Sequence, residues 1–323
     1  MTQHTVVLPG AGTDFAHWRQ IARALWQQQV PPQAVLWLTE HSQHTSPDSF
    51  AAAPQPTAVA DVQGWGHTAM TPPPTLTAPR SWVALAEQAL LNAAPERFAV
   101  LYRLLWRMQN DATVRHDPLD ADRVQMQHWV KAVRREVHKM HAFVRFRPVA
   151  LADDARDGSG PLHVAWFEPT HHIVQASAPF FVKRFAHMRW AILTPQCCLR
   201  WWPQAPSVQA LEPLGVDPSK AQQPLAGRPG VLSWSAGAQA SDAPAADAGE
   251  ALWLTYYAHI FNPARLKVKA MQKEMPRRYW HNLPEAQLIS PLIQTAQARS
   301  GAMLDSAPST PQRKLPRSQR PRR

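Results

Sequence analysis

The chain has 323 residues, of which 45% are apolar, and it carries a formal net charge of +11. This length and apolar content can build a core without disulfide staples, and the two cysteines, Cys197 and Cys198, are adjacent, which excludes the disulfide framework of a small secreted protein. There is no apolar run of about eighteen residues, so we expect a cytoplasmic protein with no membrane partner. The positive charge favours a polyanion such as nucleic acid as the partner.

The N-terminal residues predict a strand-helix-strand unit. Apolar patterning indicates a strand over 5–8, a helix over 15–28 and a second strand over 34–38. A helix that connects two strands in this way favours a parallel strand pair.

Two segments rich in proline interrupt the chain. Residues 43–80 and 203–250 each hold seven prolines and show no sustained apolar period, so both are predicted to be loose insertions or linkers. The predicted organisation is, in chain order, a strand-helix-strand unit (1–42), a Pro-rich linker or insertion (43–80), helices plus a small sheet (81–202), a Pro/Ala/Gly-rich insertion (203–250), a basic helical block (251–300) and a disordered Arg-rich tail (301–323).

The region between the two insertions contains both helical and strand patterns. Helices are predicted over 81–92, 96–108, 119–141 and 176–187, and strands over 143–149, 162–167, 190–193 and 199–202. The fold class predicted from these elements is α+β, mainly helical, with a small mixed or antiparallel sheet.

The predicted helix at 119–141 carries the first candidate nucleic-acid surface. From Arg123 to Arg147 there are seven Lys or Arg residues and one acid, Glu136. If the following residues form a strand, alternation places Phe143 and the nearby arginines on one face, which suits phosphate contacts with stacking. The predicted contacts are Arg134, Arg135, Lys139, Arg145 and Arg147. The alternative is a solvated helix face beside a core strand.

A second basic helix is predicted after Asn262 and Pro263, a residue pair typical of a helix start. Like charges four residues apart repel each other, so an anionic partner explains their alignment better than helix stability does. The predicted contacts are Arg265, Lys267, Lys269, Lys273, Arg277 and Arg278, with Tyr279 and Trp280 as candidates for base stacking.

A third motif could support acid/base chemistry. Glu168, His171 and His172 follow a predicted strand end, where carboxylates and imidazoles can move protons. The alternative is a polar turn in which Glu168 pairs with an arginine. Adjacent histidines and adjacent cysteines fit tetrahedral coordination poorly, so no metal site is predicted. Glycines at positions 10 and 12 supply only part of a dinucleotide fingerprint, so no cofactor is predicted.

Four segments of the sequence resemble one bacterial family. They read KAVRREVHKMHAFVRFRPV, VAWFEPTHHIV, APFFVKRFAHMRWAILTP and LWLTYYAHIFNPARLKVKAMQKEMPRRYWHNLPEA. The family is assigned to DNA repair, its biochemical activity is unknown, and it has no established catalytic residues to transfer. Its members are encoded beside a radical-SAM protein assigned to DNA repair, and a similar domain forms the N-terminal part of chains that end in a uracil-DNA glycosylase. No glycosylase-like segment follows Arg299, so that activity is not carried over.

Three functions are consistent with these features. The first, which we favour, is a DNA-binding protein that acts in DNA repair, accessory to a uracil-DNA glycosylase or a radical-SAM partner. The second is an enzyme on damaged DNA that uses Glu168, His171 and His172 as acid/base groups. The third is a protein-interaction scaffold that docks a radical-SAM neighbour.

Overall fold

The computed structural model describes residues 3–43, 76–149, 160–203, 230–244, 254–255 and 268–305. The chain divides into two compact units, residues 1–244 and residues 245–323. Within the described residues, no helix combines the length and the apolar character that crossing a membrane requires.

The first unit begins with a parallel pair of strands. Strand β1 (His4–Leu8) is followed by helix α1 (Phe15–Gln27), strand β2 (Val35–Thr39) and the four-residue helix α2 (Glu40–Gln43). The apolar side chains of α1 recur every three to four residues, so they form one face, and that face is buried. The predicted strand-helix-strand unit and its parallel pairing are therefore confirmed.

Three helices complete the larger hydrophobic core. They are α3 (Arg80–Ala89), α4 (Arg97–Asn110) and α5 (Ala121–Phe143). Their apolar faces pack with β1, β2 and α1 around aromatic side chains that include Trp18, Trp82 and Phe98. These segments form helices because each apolar stripe packs against the core. Such packing supplies most of the stability of a helix in a protein.

An ion-pair cluster fixes the start of α5. The Asp120 side chain caps the helix by accepting from the backbone N–H groups of Asp122 and Arg123, both at 3.1 Å. Arg107 pairs with both aspartates, and Arg103 pairs with Asp122. Burial alone would raise the pKa of Asp122, but the hydrogen bonds and charges of the two arginines lower it below its usual value.

A five-stranded sheet forms the rest of the first unit. Its strands are β3 (Arg147–Val149), β4 (Leu162–Trp166), β5 (Trp190–Leu193), β6 (Cys197–Trp202) and β7 (Val231–Ala236), in that spatial order. Helix α6 (Val174–Arg184) connects β4 to β5, and these two strands are parallel while every other pair is antiparallel. The predicted α+β class with a small mixed sheet is confirmed.

Two local predictions in the first unit are wrong. The predicted strand over 143–149 is reduced to three residues, because α5 continues to Phe143, whose buried ring extends the apolar stripe of the helix by one more turn. Strand β7 lies inside the segment 203–250 that the sequence predicts to be a loose insertion. The surrounding Pro- and Ala-rich composition conceals its short apolar pattern.

The second unit contains two described α-helices of more than one turn, with a 3-10 helix between them. Helix α7 (Val268–Glu274) is followed by a 3-10 helix (Arg277–Asn282) and by α8 (Ala286–Asp305). Because α8 ends at Asp305, residues 301–305 are helical, whereas the sequence predicts that the disordered tail starts at 301. Residues 306–323 lie outside the described residues, as do Arg265 and Lys267.

Candidate functional site

The exposed side of α5 is uniformly basic along its middle turns. Lys131, Arg134, Arg135 and His138 are all exposed. Neither Lys131 nor the two arginines form an ion pair with another described residue, and the guanidinium of Arg134 donates instead to the neutral amide of Gln88, at 2.6 Å. These side chains are therefore available to an anion.

Three other predicted contacts on the first unit are engaged within the protein. Lys139 is only 4% exposed, so its side chain does not lie on the open surface that the predicted nucleic-acid contact requires. Arg145 donates to the carbonyl of Ala142 at 2.7 Å, and Arg147 donates to the carbonyl of Pro244 at 2.7 Å. The predicted face shared with Phe143 does not form, because Phe143 belongs to the helix and is buried.

The second unit carries exposed cations of its own. Lys269 and Lys273 are exposed on α7, and Arg277 and Arg278 are exposed in the 3-10 helix. Tyr279 is 1% exposed, which contradicts its predicted place as an open stacking surface. This burial arises because the residues after Pro276 form a 3-10 helix rather than an open loop.

Trp280 is half-buried rather than fully open. Its indole N–H donates to the carbonyl of Met275 at 2.9 Å, and the guanidinium of Arg277 lies 5.5 Å from its ring centroid. The ring is therefore held in place by Met275 and flanked by a cation.

The segment Glu168–His172 is a loop at the carboxyl end of β4, and Glu136 of α5 holds it. The buried Glu136 carboxylate accepts from the backbone N–H of Thr170 at 3.0 Å and from that of His171 at 2.7 Å. The loop also contacts the turn between α3 and α4, because the backbone N–H of His172 donates to the carbonyl of Leu91 at 2.8 Å. Several elements thus fix the loop.

This loop contributes to a cavity that we call the Arg97 pocket. The cavity has a volume of about 340 Å³ and lies where the carboxyl end of β2 meets the start of α4 and the His172 loop. Open α/β proteins commonly bind ligands beyond the carboxyl ends of their strands. The described residues that line it are Ala11, Trp37, Leu38, Thr39, His41, Ala93, Pro95, Arg97, Phe98 and His172.

Arg97 is a buried cation in the wall of this pocket. It is 3% exposed, and its guanidinium donates to the carbonyls of Leu90, Ala94 and Ala11 at 2.9, 2.8 and 2.6 Å. Burial lowers its pKa to about 10, against the smaller raising effect of the charge on Glu96. The side chain is therefore charged at neutral pH and is held by neutral carbonyl oxygens.

His172 is an uncharged imidazole at neutral pH. Burial is the main cause that lowers its pKa to about 4, and the charges of Arg97, His41 and His171 lower it further. A hydrogen bond with Gln196 acts in the opposite direction. The neutral ring can both donate and accept a hydrogen bond.

The three residues predicted as an acid/base set lie on one loop, but they do not all line the Arg97 pocket. Glu168 accepts from the indole N–H of Trp166 at 3.0 Å and does not line the Arg97 pocket. The Nδ1 atom of His171 accepts from the backbone N–H of Ala93 at 3.2 Å. Of the three, His172 alone is among the described residues that line the pocket.

Sequence reasoning missed two residues that organise this region. Glu136 had a detectable signal, because it lies three residues after Val133 and four before Met140, on the buried stripe of a helix where an acid needs a partner. Arg97 had no such signal. Its burial depends on the turn between α3 and α4 and on the loop after β1, which are distant in sequence from each other.

Comparison with known proteins gives a family but no characterised relative. No curated protein and no solved structure matches the chain. A family model described as a domain of unknown function, DUF4130, matches residues 95–285, which is more than half of the chain. The match includes α4, α5, α6 and the five-stranded sheet, and thus Arg97, Glu136 and His172. The chain belongs to the DUF4130 family.

Proposed function

We propose that this protein binds nucleic acid through the exposed basic side of α5 and acts in DNA repair. The observation that carries the proposal is the position of Glu136. It is the only acid between Arg123 and Arg147, and it is 1% exposed. Its charge is turned inward to the His172 loop, so no acid of this stretch lies among the exposed cations.

The charge pattern fits contact with phosphate rather than with bases. Lys131 and Arg135 are four residues apart and therefore neighbours on the helix surface, with Arg134 beside them. Side chains of this kind supply most sequence-independent affinity for DNA because each phosphate contact releases a counterion. The exposed cations of the second unit, Lys269, Lys273, Arg277 and Arg278, add further sites of the same chemistry.

A pair of matched double variants tests the proposal. Replacing Arg134 and Arg135 by Glu should weaken DNA binding by at least about tenfold at low salt, because two phosphate contacts become repulsive. Replacing Arg19 and Arg23, which are exposed on α1, by Glu changes the net charge by the same amount. This control should bind within about threefold of the parent. Equal loss in both variants would show that net charge, not the α5 surface, determines binding.

The repair setting is supported by the sequence resemblance described above. The same resemblance motivates a partner, either a uracil-DNA glycosylase or a radical-SAM protein. Copurification of the chain with a radical-SAM protein of the kind encoded beside members of that family would test the partner directly, and a complex that persists at high salt would favour the scaffold alternative. The acid/base alternative has less support, because His172 lines the Arg97 pocket and Glu168 does not.

A further inference from the structure

Among the described residues, no carboxylate pairs with the positive charge of Arg97 in its pocket. A guanidinium has five N–H groups, and three of those of Arg97 donate to backbone carbonyls. Arg97 forms no hydrogen bond or ion pair with a carboxylate of any described residue. Burying a cation without an anion costs several kcal/mol, so a bound anion would recover part of that cost.

The other polar groups of the pocket agree with an anionic ligand. The polar side chains beside Arg97 are those of Thr39, His41 and His172, and none of the described lining residues is acidic. Of the neighbouring acids, Glu40 lies outside the lining and accepts from the backbone N–H of Gly10 at 2.6 Å. Glu96 is exposed and also lies outside the lining, and its charge has only the smaller effect on the pKa of Arg97.

The start of α4 adds to the positive potential. This helix has 14 residues, and Pro95 and Arg97 at its start line the pocket. The first N–H groups of a helix lack partners within the helix and carry a partial positive charge. The buried guanidinium and the helix start thus act on the same side of the cavity.

The remaining wall is apolar and includes aromatic rings. Trp37, Leu38 and Phe98 line the cavity, and the rings of Trp37 and Phe98 are stacked on each other with centroids 6.2 Å apart. A volume of about 340 Å³ is within the range of small-molecule sites. The pocket therefore offers a cationic end for a charged group and an apolar side for the rest of a ligand.

We propose that the Arg97 pocket binds a phosphate monoester, carried by a mononucleotide or by the end of a nucleic-acid strand. Arg97 would donate its two remaining N–H groups to the phosphate oxygens, a geometry that the guanidinium fork favours. His172 would form part of the wall beside the phosphate. The proposal goes beyond the binding of DNA on α5, because no residue of that helix is among the described residues that line the pocket.

The test uses the full chain and substitutes a residue whose side chain does not stabilise the fold. Arg97 binds three carbonyls, so its replacement would disturb the turn itself. Ala93 lines the pocket, and its side chain is exposed. Replacement by Glu places a negative charge at the rim, while replacement by Gln adds nearly the same volume without charge. The backbone N–H of Ala93 that donates to His171 is kept in both variants.

Calorimetric titration with thymidine 5′-monophosphate should show one saturable site on the parent, and thymidine without phosphate should show none. Ala93→Glu should weaken binding by at least about tenfold, and Ala93→Gln by no more than about threefold. Tighter binding of a short 5′-phosphorylated oligonucleotide than of the mononucleotide assigns the pocket to strand ends, and the reverse order assigns it to free nucleotides.

Two results would overturn the proposal. One is the absence of saturable binding of the monophosphate and of the phosphorylated oligonucleotide. The other is binding that is unchanged in a folded Ala93→Glu variant. The Arg134/Arg135 double variant keeps the pocket intact and should bind the monophosphate as the parent does. This comparison distinguishes a wrong proposal about the Arg97 pocket from a wrong proposal about DNA binding on α5.

Discussion

Replacing Glu136 by Gln should destabilise the first unit and loosen the His172 loop. The carboxylate accepts two backbone hydrogen bonds, from Thr170 and His171, and a hydrogen bond to a charged group contributes about 1.5–3 kcal/mol. Gln keeps one oxygen and turns an NH₂ group toward the other donor, so one bond is lost and one is weakened. A neutral side chain is also less costly to bury, which offsets part of the loss. We expect a net loss of about 2 kcal/mol.

Thermal unfolding followed by circular dichroism measures this effect. For a unit of this size, about 2 kcal/mol corresponds to a fall in Tm of roughly 4–8 °C. Hydrogen exchange should also accelerate at the amides of Thr170 and His171. The matched control is Glu87→Gln, an exposed acid on α3, which should change stability by less than about 0.5 kcal/mol. Equal melting of the two variants, with unchanged exchange at both amides, would refute the anchoring role of Glu136.

Further predictions concern turns, pH and charge. Gly10 and Gly12 both have positive φ, but a Cβ at Gly12 would also lie 2.6 Å from the Phe98 ring. Gly12→Ala should therefore lower the free energy of unfolding, measured by chemical denaturation, more than Gly10→Ala does. Equal losses would contradict this steric reason. Because the pKa of Asp122 is lower in the folded protein, it adds stability that is present above its ordinary pKa of about 4 and is lost as the pH falls toward its pKa in the folded state. Asp122→Asn should therefore make stability fall less steeply with decreasing pH in the acid range. Deleting residues 311–323, which carry six basic residues, should weaken DNA binding at low salt.

The parts of the fold that depend on local periodicity could be predicted from the sequence. The apolar side chains of α1 and α5 recur at helical spacing, and the short strands β4, β5 and β6 are compact apolar runs. The parallel pairing of β1 and β2 followed from the helix that connects them. In each case the pattern and the buried face belong to one continuous segment.

The parts that depend on distant contacts could not be predicted. Phe143 reads equally well as the end of a helix or the start of a strand, and the space for its ring in the core decides the outcome. Lys139 and Tyr279 look like surface residues in the sequence, yet packing buries both. The Arg97 pocket brings together residues from four separate stretches of the chain, so neither composition nor spacing indicates it.

The salt dependence of DNA affinity, measured for the parent and for the Arg134→Glu/Arg135→Glu variant, tests the central claim most directly. If α5 contacts phosphates, the affinity of the parent should fall steeply between about 50 and 200 mM salt. The slope of log K against log salt should be smaller in magnitude for the variant by roughly 1.8 on duplex DNA, at about 0.9 for each of two lost contacts. A parent affinity that does not change with salt, or identical slopes for two folded proteins, would contradict the account.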